Sequence, residues 1–122
     1  MRGTAETLRT FTPGLRVVAV EPAESAVLSV GPSGAHGIDG IGAGFVVPLW
    51  RDGVADRIER VATAEAKAMA QRLAREEGLF AGTSTGANVI AGLRVAEDLG
   101  RDATVVTIAC DSGMKYLSRL EL

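Results

Sequence analysis

A short motif of glycines and hydroxyl residues occupies positions 82–86, with the sequence GTSTG. It fits the G-x-S-x-G pattern in which a turn before a helix presents a serine nucleophile, here Ser84. Such a serine needs a histidine base, and in α/β hydrolases that histidine follows the serine in the chain. The one histidine, His36, precedes Ser84. The sequence therefore argues against a serine hydrolase.

Two other interpretations of the same motif remain open. Hydroxyl groups beside the free N–H groups of a helix amino terminus can hold an anion or orient a polar ring atom. Alternatively, Ser84 or Thr85 only caps the following helix, which is the common role of these residue types. The five residues alone do not decide between a binding role and a capping role.

A second candidate segment is the glycine-rich stretch at positions 37–44, GIDGIGAG. It lacks the G-x-G-x-x-G spacing and the strand-turn-helix setting of a dinucleotide fingerprint. Glycines at this density allow a backbone to approach a ligand closely or to hinge. A plain surface loop is the alternative, but Ile38, Ile41, Phe45 and Val46 are too apolar for a loop in solvent. The segment is thus predicted to form a wall of a binding site.

The remaining reactive side chains predict no catalytic residue. Cys110 directly follows an apolar run and is interpreted as a small packing residue. His36 is expected to make local hydrogen bonds. The only lysines, Lys67 and Lys115, lie in no context that would desolvate an amine for Schiff-base chemistry. One cysteine and one histidine also argue against a metal site.

Composition limits the classes of function further. The chain has 122 residues, the size of one domain, and 13 basic against 15 acidic residues give a net charge of −2, without the basic excess of a nucleic-acid-binding protein. A single cysteine excludes an internal disulfide and suits a reducing compartment. No apolar run approaches the length of about 20 residues that spans a bilayer, and the first residues are polar. We therefore expect a cytoplasmic protein with neither a nucleic acid nor a membrane as partner.

The apolar patterning predicts alternating strands and helices. Thr63 is predicted to cap a helix that ends at Gly78, with an apolar face that includes Ala66 and Leu73. Near-uniform apolar strands between helices indicate an α/β fold, a parallel sheet with helices on both faces. The other expected elements are a short helix at 4–10, strands at 15–20, 57–61 and 104–109, and a helix at 87–99.

Parallel sheets bind ligands beyond the carboxyl ends of their strands. Three segments are placed to form such a site: the glycine-rich stretch at 37–44, the motif at 82–86, and a polar turn at 111–113, DSG. The sequence predicts that these three segments line one pocket.

Four segments, read together, resemble one family. They are VAVEP at 18–22, HGIDGIGAGF at 36–45, GLFAGTSTGA at 78–87 and CDSGMKYLS at 110–118. In order and spacing they are similar to the cysteine synthases, which are fold-type-II pyridoxal-phosphate enzymes of the O-acetylserine sulfhydrylase and cystathionine β-synthase kind. The resemblance extends over essentially the whole chain.

The resemblance implies a function and a site. It implies a homodimeric enzyme that uses pyridoxal phosphate to replace the β-substituent of O-acetylserine, an amino-acid substrate, with sulfide. Ser84 falls on the family serine that hydrogen-bonds the pyridine nitrogen of the cofactor. Asp111 falls on the neighbouring polar position behind the ring, and Gly42 and Ala43 fall on the loop that lines the substrate side.

The resemblance also implies that parts of the family site lie outside this sequence. The family's Schiff-base lysine and substrate-carboxylate loop belong to its amino-terminal half, and its phosphate-binding glycines precede the segment that matches residues 2–4. The chain therefore resembles a carboxy-terminal part, an incomplete domain over residues 1–122 that is expected to be inactive alone and to self-associate. The alternative is a binding module without catalysis that pairs with a full-length homologue.

Overall fold

A computed structural model describes residues 1–29 and 31–119, without the side chain of residue 119. Its elements alternate strands and helices, as the patterning predicts. A 3-10 turn follows the first strand and a 3-10 helix ends the described chain. In chain order the elements are α1 (Arg2–Phe11), β1 (Val18–Pro22), the 3-10 turn (Ala23–Ser25), β2 (Arg57–Val61), α2 (Thr63–Glu76), α3 (Thr83–Leu99) and the 3-10 helix (Gly113–Arg119).

The two strands form a parallel sheet, which confirms the predicted α/β class. Val18 lies opposite Arg57 at one end of the ladder, and Pro22 lies opposite Val61 at the other. β2 lies at the predicted residues, whereas β1 begins three residues later than predicted. The delay has a local cause, because the N–H of Val17 donates to Oδ2 of Asp56 at 2.7 Å instead of to a strand partner.

The predicted strand at 104–109 is not formed in the described structure. Val106 is 85% exposed and Ile108 is 67% exposed. No main-chain hydrogen bond joins residues 104–107 to another described segment. Cys110 is exposed as well, so its predicted packing role is wrong here. The β-branched residues favour an extended backbone, but a strand also needs a neighbour.

The start of α2 differs from the prediction in its cap. Ala62, not Thr63, is the N-cap residue. The N–H of Thr63 donates to Oε1 of Glu24 at 2.8 Å, and its hydroxyl accepts a hydrogen bond from the N–H of Gly37 at 2.9 Å. Glu65, in the first turn of α2, accepts a hydrogen bond from the N–H of Ala62 at 3.1 Å. The Glu24 carboxylate, from the 3-10 turn, therefore binds a free N–H at the start of α2 in place of the predicted Thr63 hydroxyl.

Replacing this carboxylate is expected to weaken the chain in a pH-dependent way. The backbone N–H of Thr63 lowers the pKa of Glu24. A lowered pKa means that the ionised form stabilises the fold above the ordinary glutamate value of about 4.3, and that this stabilisation is lost as the pH falls through the folded-state pKa. Glu24→Gln should cost about 0.5 kcal/mol of unfolding free energy at neutral pH.

Urea unfolding from pH 7 down to acid measures this effect. The difference between wild type and Glu24→Gln should shrink as the pH falls below about 4. The matched control is Glu97→Gln, which removes an exposed carboxylate without a described hydrogen bond or ion pair. An equal loss of unfolding free energy in the two variants would contradict the role of Glu24 at the start of α2. A loss in Glu24→Gln that stays constant with pH would contradict it as well.

The core lies where α3 packs against α2 and against β2. Ile38 from the glycine-rich segment is 1% exposed and packs there, as its apolar character predicts. Phe45 and Val46 are exposed, contrary to the expectation for that segment. The other buried members of the cluster are small or β-branched, which lets the helices approach closely: Val61, Ala66, Ala87 and Ala91.

α3 is tied to β2 by ionic contacts as well as by packing. Arg94 donates to the carbonyl of Arg60 at 2.8 Å and to Oε1 of Glu65 at 3.0 Å. Asp98, near the carboxyl end of α3, pairs with Arg57 of β2. These contacts fix the direction of α3, whose amino-terminal turn carries the GTSTG motif.

Candidate functional site

Ser84 lies in the first turn of α3. The helix begins at Thr83, four residues before the predicted start, and its N-cap is Gly82, without a side-chain cap hydrogen bond. The Ser84 side chain thus does not cap the helix, and the capping interpretation is wrong for this structure. Ser84 is 4% exposed, and its hydroxyl has no hydrogen bond to any residue that the structure describes. A hydroxyl in the first turn of a helix that makes no hydrogen bond of its own can reach a ligand, so this position suits a ligand contact.

The two threonines beside Ser84 hold the other predicted segments in place. Oγ1 of Thr83 accepts a hydrogen bond from the N–H of Asp39, in the glycine-rich segment, at 3.2 Å. Oγ1 of Thr85 accepts from the N–H of Cys110, directly before the polar turn, at 3.0 Å. Both segments are therefore fastened to the turn that carries Ser84.

The polar turn also packs directly on the GTSTG motif. The N–H of Gly82 donates to the carbonyl of Asp111 at 3.2 Å, and the N–H of Gly113 donates to the carbonyl of Phe80 at 3.1 Å. A Cβ at Gly82 would lie 2.3 Å from Oδ1 of Asp111, and a Cβ at Gly113 would lie 2.6 Å from the Phe80 ring. Both glycines are needed because the two segments touch.

The carboxylate of Asp111 is held at one oxygen only. Oδ2 accepts a hydrogen bond from the hydroxyl of Tyr116 at 2.5 Å and lies 3.7 Å from Nζ of Lys115. Oδ1 is buried and has no hydrogen-bond partner in the described structure. An unsatisfied buried carboxylate oxygen beside Gly82 marks a place where a bound donor would be stabilised.

Removing the Tyr116 hydroxyl should destabilise this turn. We expect Tyr116→Phe to cost about 1–3 kcal/mol of unfolding free energy, because Asp111 then loses the hydrogen bond to its second oxygen. Lys115→Met is the comparison, since its exposed ion pair with Asp111 should contribute less than about 0.5 kcal/mol. Chemical denaturation of both variants measures the two costs. A smaller loss for Tyr116→Phe than for Lys115→Met would contradict this account of the turn.

Gly42 and Ala43 lie farther along the glycine-rich segment. Nδ1 of His36 accepts a hydrogen bond from the N–H of Ile38 at 3.3 Å, so Nε2 carries the proton and donates to the carbonyl of Gly42 at 3.0 Å. This confirms the local role predicted for His36. Because both ring nitrogens are engaged, no base is left for Ser84, and the hydrolase interpretation loses its remaining support.

The structure does not bring all the predicted site residues into one cavity. Gly42 has a φ of +66°, and a Cβ there would lie 2.6 Å from Cγ of Pro22, so the position requires glycine. Gly42 and Ala43 line a cavity of about 370 Å³ whose lining includes neither Ser84 nor Asp111. The Ser84 turn and the Gly42 loop are linked through Asp39 but form separate surfaces.

Neither lysine is a desolvated amine. Lys67, on the polar face of α2, and Lys115 are both exposed, as predicted. Within residues 1–29 and 31–119, no group of three histidine, cysteine, aspartate or glutamate residues could hold a metal ion. None of the helices in that same part of the chain is long and apolar enough to cross a membrane.

Sequence reasoning missed the supporting residues of the site. It considered the hydroxyls of Thr83 and Thr85 for ligand binding, and Thr85 also as a cap, whereas the structure shows that the two hydroxyls fasten the neighbouring segments. It also missed the role of Tyr116 as the partner of Asp111. The one signal in the sequence was that these polar residues lie within the segments at 78–87 and 110–118.

Comparison with known proteins decides the family. Residues 1–111 match the family model described as "Pyridoxal-phosphate dependent enzyme". The chain belongs to this family. A cysteine synthase of Staphylococcus aureus is 39% identical over 118 residues, which are 97% of this chain and 38% of that protein. A probable cysteine synthase of Bacillus subtilis is 40% identical over 116 residues, 95% of this chain and 37% of that protein.

Solved structures of family members share the fold. A cysteine synthase from Entamoeba histolytica matches with a TM-score of 0.91 and 40% identity, over 95% of this chain and 35% of that one. An O-acetylserine dependent cystathionine beta-synthase from Helicobacter pylori matches with a TM-score of 0.89 and 36% identity, over 96% of this chain and 38% of that one. The resemblance found in the sequence is thus confirmed. The chain spans less than two fifths of the length of these relatives.

The cofactor of the family is pyridoxal phosphate. Two groups at the α3 turn could contact a polar atom of this cofactor. Ser84 offers a hydroxyl that makes no hydrogen bond to a described residue, and Asp111 offers a buried carboxylate oxygen without a partner in the same part of the chain. They do not provide a covalent anchor, since Lys67 and Lys115 are both exposed. The chain therefore fits one end of the cofactor.

Proposed function

We propose that this chain is the carboxy-terminal portion of a pyridoxal-phosphate enzyme that makes cysteine from O-acetylserine, or a related amino acid, and sulfide. The observation that carries the proposal is Ser84, a residue 4% exposed on the first turn of α3 whose hydroxyl makes no hydrogen bond to a described residue. The fold around it matches a cysteine synthase with a TM-score of 0.91. When bound, the cofactor supplies the electron sink for β-replacement.

In this proposal Ser84 positions the cofactor and tunes its electronic character. The Ser84 hydroxyl donates a hydrogen bond to the pyridine nitrogen but transfers no proton to it. A neutral donor leaves the ring a weaker electron sink than a carboxylate partner would, which favours elimination over transamination. Asp111 contributes a neighbouring polar group behind the ring through Oδ1, which has no protein partner.

Gly42 and Ala43 are proposed to line the substrate side of the completed site. Support comes from the tight turn at Gly42, which leaves no room for a side chain, and from the exposure of Ala43. Since the Ser84 turn and the Gly42 loop form separate surfaces here, the substrate pocket needs further chain to join them. We propose that such chain is the amino-terminal half of a family member, and that the completed protein is a cytoplasmic homo-oligomer, as the resemblance implies.

The isolated chain should form no stoichiometric lysine adduct with pyridoxal phosphate. Lys67 and Lys115 are exposed, and neither lines the cavity beside Gly42. The measurement mixes equimolar chain and cofactor, records the visible spectrum, reduces with borohydride and weighs the protein by mass spectrometry. A stable one-to-one adduct that Lys115→Ala removes would contradict the proposal that the anchor lies outside this chain.

A hybrid enzyme tests the proposed function directly. In it, this chain replaces the matched 118-residue segment of the S. aureus cysteine synthase. The hybrid should bind pyridoxal phosphate and form cysteine from O-acetylserine and sulfide, while the isolated chain forms none. A hybrid that folds and binds the cofactor but makes no cysteine would contradict the proposal and favour the non-catalytic module, which would instead bind a full-length homologue.

A further inference from the structure

The cavity of about 370 Å³ beside Gly42 has a polar part that the proposed function does not use. Gly42 and Ala43 line one part of the cavity and are already placed on the substrate side. Glu21, near the end of β1, and Ser25, in the 3-10 turn, belong to the same lining. The surroundings of these two polar residues indicate which ligand the cavity suits.

Glu21 is a buried carboxylate without a cationic partner among the described residues. It is 2% exposed. Oε2 accepts a hydrogen bond from the N–H of Leu28 at 2.8 Å, and Oε1 accepts one from the hydroxyl of Ser29. These neutral donors stabilise the negative charge but do not cancel it, and no described lysine, arginine or histidine forms an ion pair with Glu21. Buried charges in proteins are usually paired, so this carboxylate favours a bound cation.

Ser25 adds an unsatisfied polar atom to the same lining. The residue is fully buried, and its Oγ has no hydrogen-bond partner in the described structure. A carboxylate can accept about four hydrogen bonds, and the described residues supply two of them to Glu21. A primary ammonium ion carries three N–H donors and a positive charge. One such group therefore meets the needs of both residues.

The other described residues of the lining are apolar or glycine, so the cavity also suits an apolar ligand body. They include the aromatic residues Phe45 and Trp50, whose ring faces attract organic cations. None of the described lining residues carries a positive charge. The volume lies at the lower end of the range of about 300–1,000 Å³ that is typical of small-molecule pockets. The cavity thus combines negative charge, apolar walls and the size for a small organic molecule.

We propose that this cavity binds a small primary amine in its ammonium form, with an apolar body of about six carbon atoms. The ammonium group pairs with the Glu21 carboxylate and donates a hydrogen bond to Oγ of Ser25. The apolar body lies against the aliphatic and aromatic walls. The ligand needs neither pyridoxal phosphate nor Ser84, so this inference does not depend on the proposed function.

Trp50 reports binding directly, because it lines the cavity and is the one tryptophan of the chain. At neutral pH, n-hexylammonium at millimolar concentration should change the fluorescence of Trp50 in a saturable way. The matched probe is 1-hexanol, which has the same apolar body without the charge and should bind at least about tenfold more weakly. Absence of a saturable change with n-hexylammonium would overturn the proposal, as would equal dissociation constants for the two probes.

Two pairs of variants locate the bound amine. Ser25→Ala should raise the dissociation constant of n-hexylammonium about tenfold, because the ammonium loses an acceptor, and it breaks no described hydrogen bond of the fold. Ser33→Ala, at an exposed position outside the lining, should leave the constant unchanged. Ala43→Phe fills the cavity and should abolish binding, whereas Val46→Phe, exposed and outside the lining, should not. Equal effects within either pair would overturn the proposal.

Discussion

Gly86→Ala is expected to destabilise the chain by about 3 kcal/mol, a large share of the 5–15 kcal/mol that holds a typical domain together. A Cβ at this position would lie 2.1 Å from the carbonyl oxygen of Ala66 and 2.9 Å from the backbone nitrogen of Ala70. Both atoms belong to the backbone of α2, which cannot move aside as a flexible side chain would. The close crossing of α2 and α3 therefore requires glycine.

Gly92→Ala, on the same helix, is the matched control. The nearest atom to its added Cβ is Cγ1 of Val105 at 3.8 Å, an ordinary contact. Because alanine loses less backbone entropy in a helix, this variant should be stabilised by about 0.5–1 kcal/mol. Urea unfolding of both variants gives the comparison. Equal effects, or a Gly86→Ala variant as stable as wild type, would contradict the described helix crossing.

Ser84→Ala and Ser84→Asp should separate a cofactor role from a structural one. In the isolated chain, Ser84→Ala should change the unfolding free energy by less than about 0.5 kcal/mol, because the hydroxyl has no hydrogen bond in the described structure. In the hybrid enzyme the same change should slow cysteine formation about tenfold, the value of one lost hydrogen bond. Ser84→Asp should slow it about 100-fold, because a carboxylate favours a protonated ring and misdirects the reaction.

Ala64→Asp provides the control for an acidic residue in the first turn of a helix. Ala64 is exposed and is the second residue of α2, as Ser84 is the second residue of α3. An acidic side chain there is favourable toward the helix dipole, so Ala64→Asp should leave both stability and turnover near wild type. The thermal unfolding temperature and the amount of bound cofactor, measured for each hybrid, show whether a variant is simply misfolded. Wild-type turnover in Ser84→Asp would contradict the cofactor role.

The sequence predicted those elements that depend on local residue pattern alone. β2 lies at the predicted residues, and so does the apolar face of α2 with Ala66 and Leu73, because residue pattern over a few neighbours determines both. The strand at 104–109 was predicted from equally good β-branched residues, yet Val106 is 85% exposed and the segment has no strand neighbour. Strand formation depends on a partner that local pattern does not supply.

Two errors at helix ends have long-range causes. Glu24, which lies 39 residues before Thr63, binds the first N–H of α2 in place of the predicted cap. Gly86 has poor helix propensity, which favoured a later start for α3, but its close contact with Ala66 places it inside the helix. The three site segments are joined through Thr83 and Thr85, as the motifs suggested. They do not line one pocket as predicted, because the cavity beside Gly42 and Ala43 does not include Ser84.

The most direct test of the Ser84 contact is the ¹⁵N resonance of the pyridine nitrogen, measured with labelled pyridoxal phosphate bound to the hybrid. With Ser84 in place, the account predicts the resonance of an unprotonated, hydrogen-bonded pyridine nitrogen. Ser84→Ala should shift it toward the value without a donor, and Ser84→Asp should shift it strongly toward that of a protonated ring. One unchanged resonance in all three proteins would contradict the assignment of Ser84 to the cofactor.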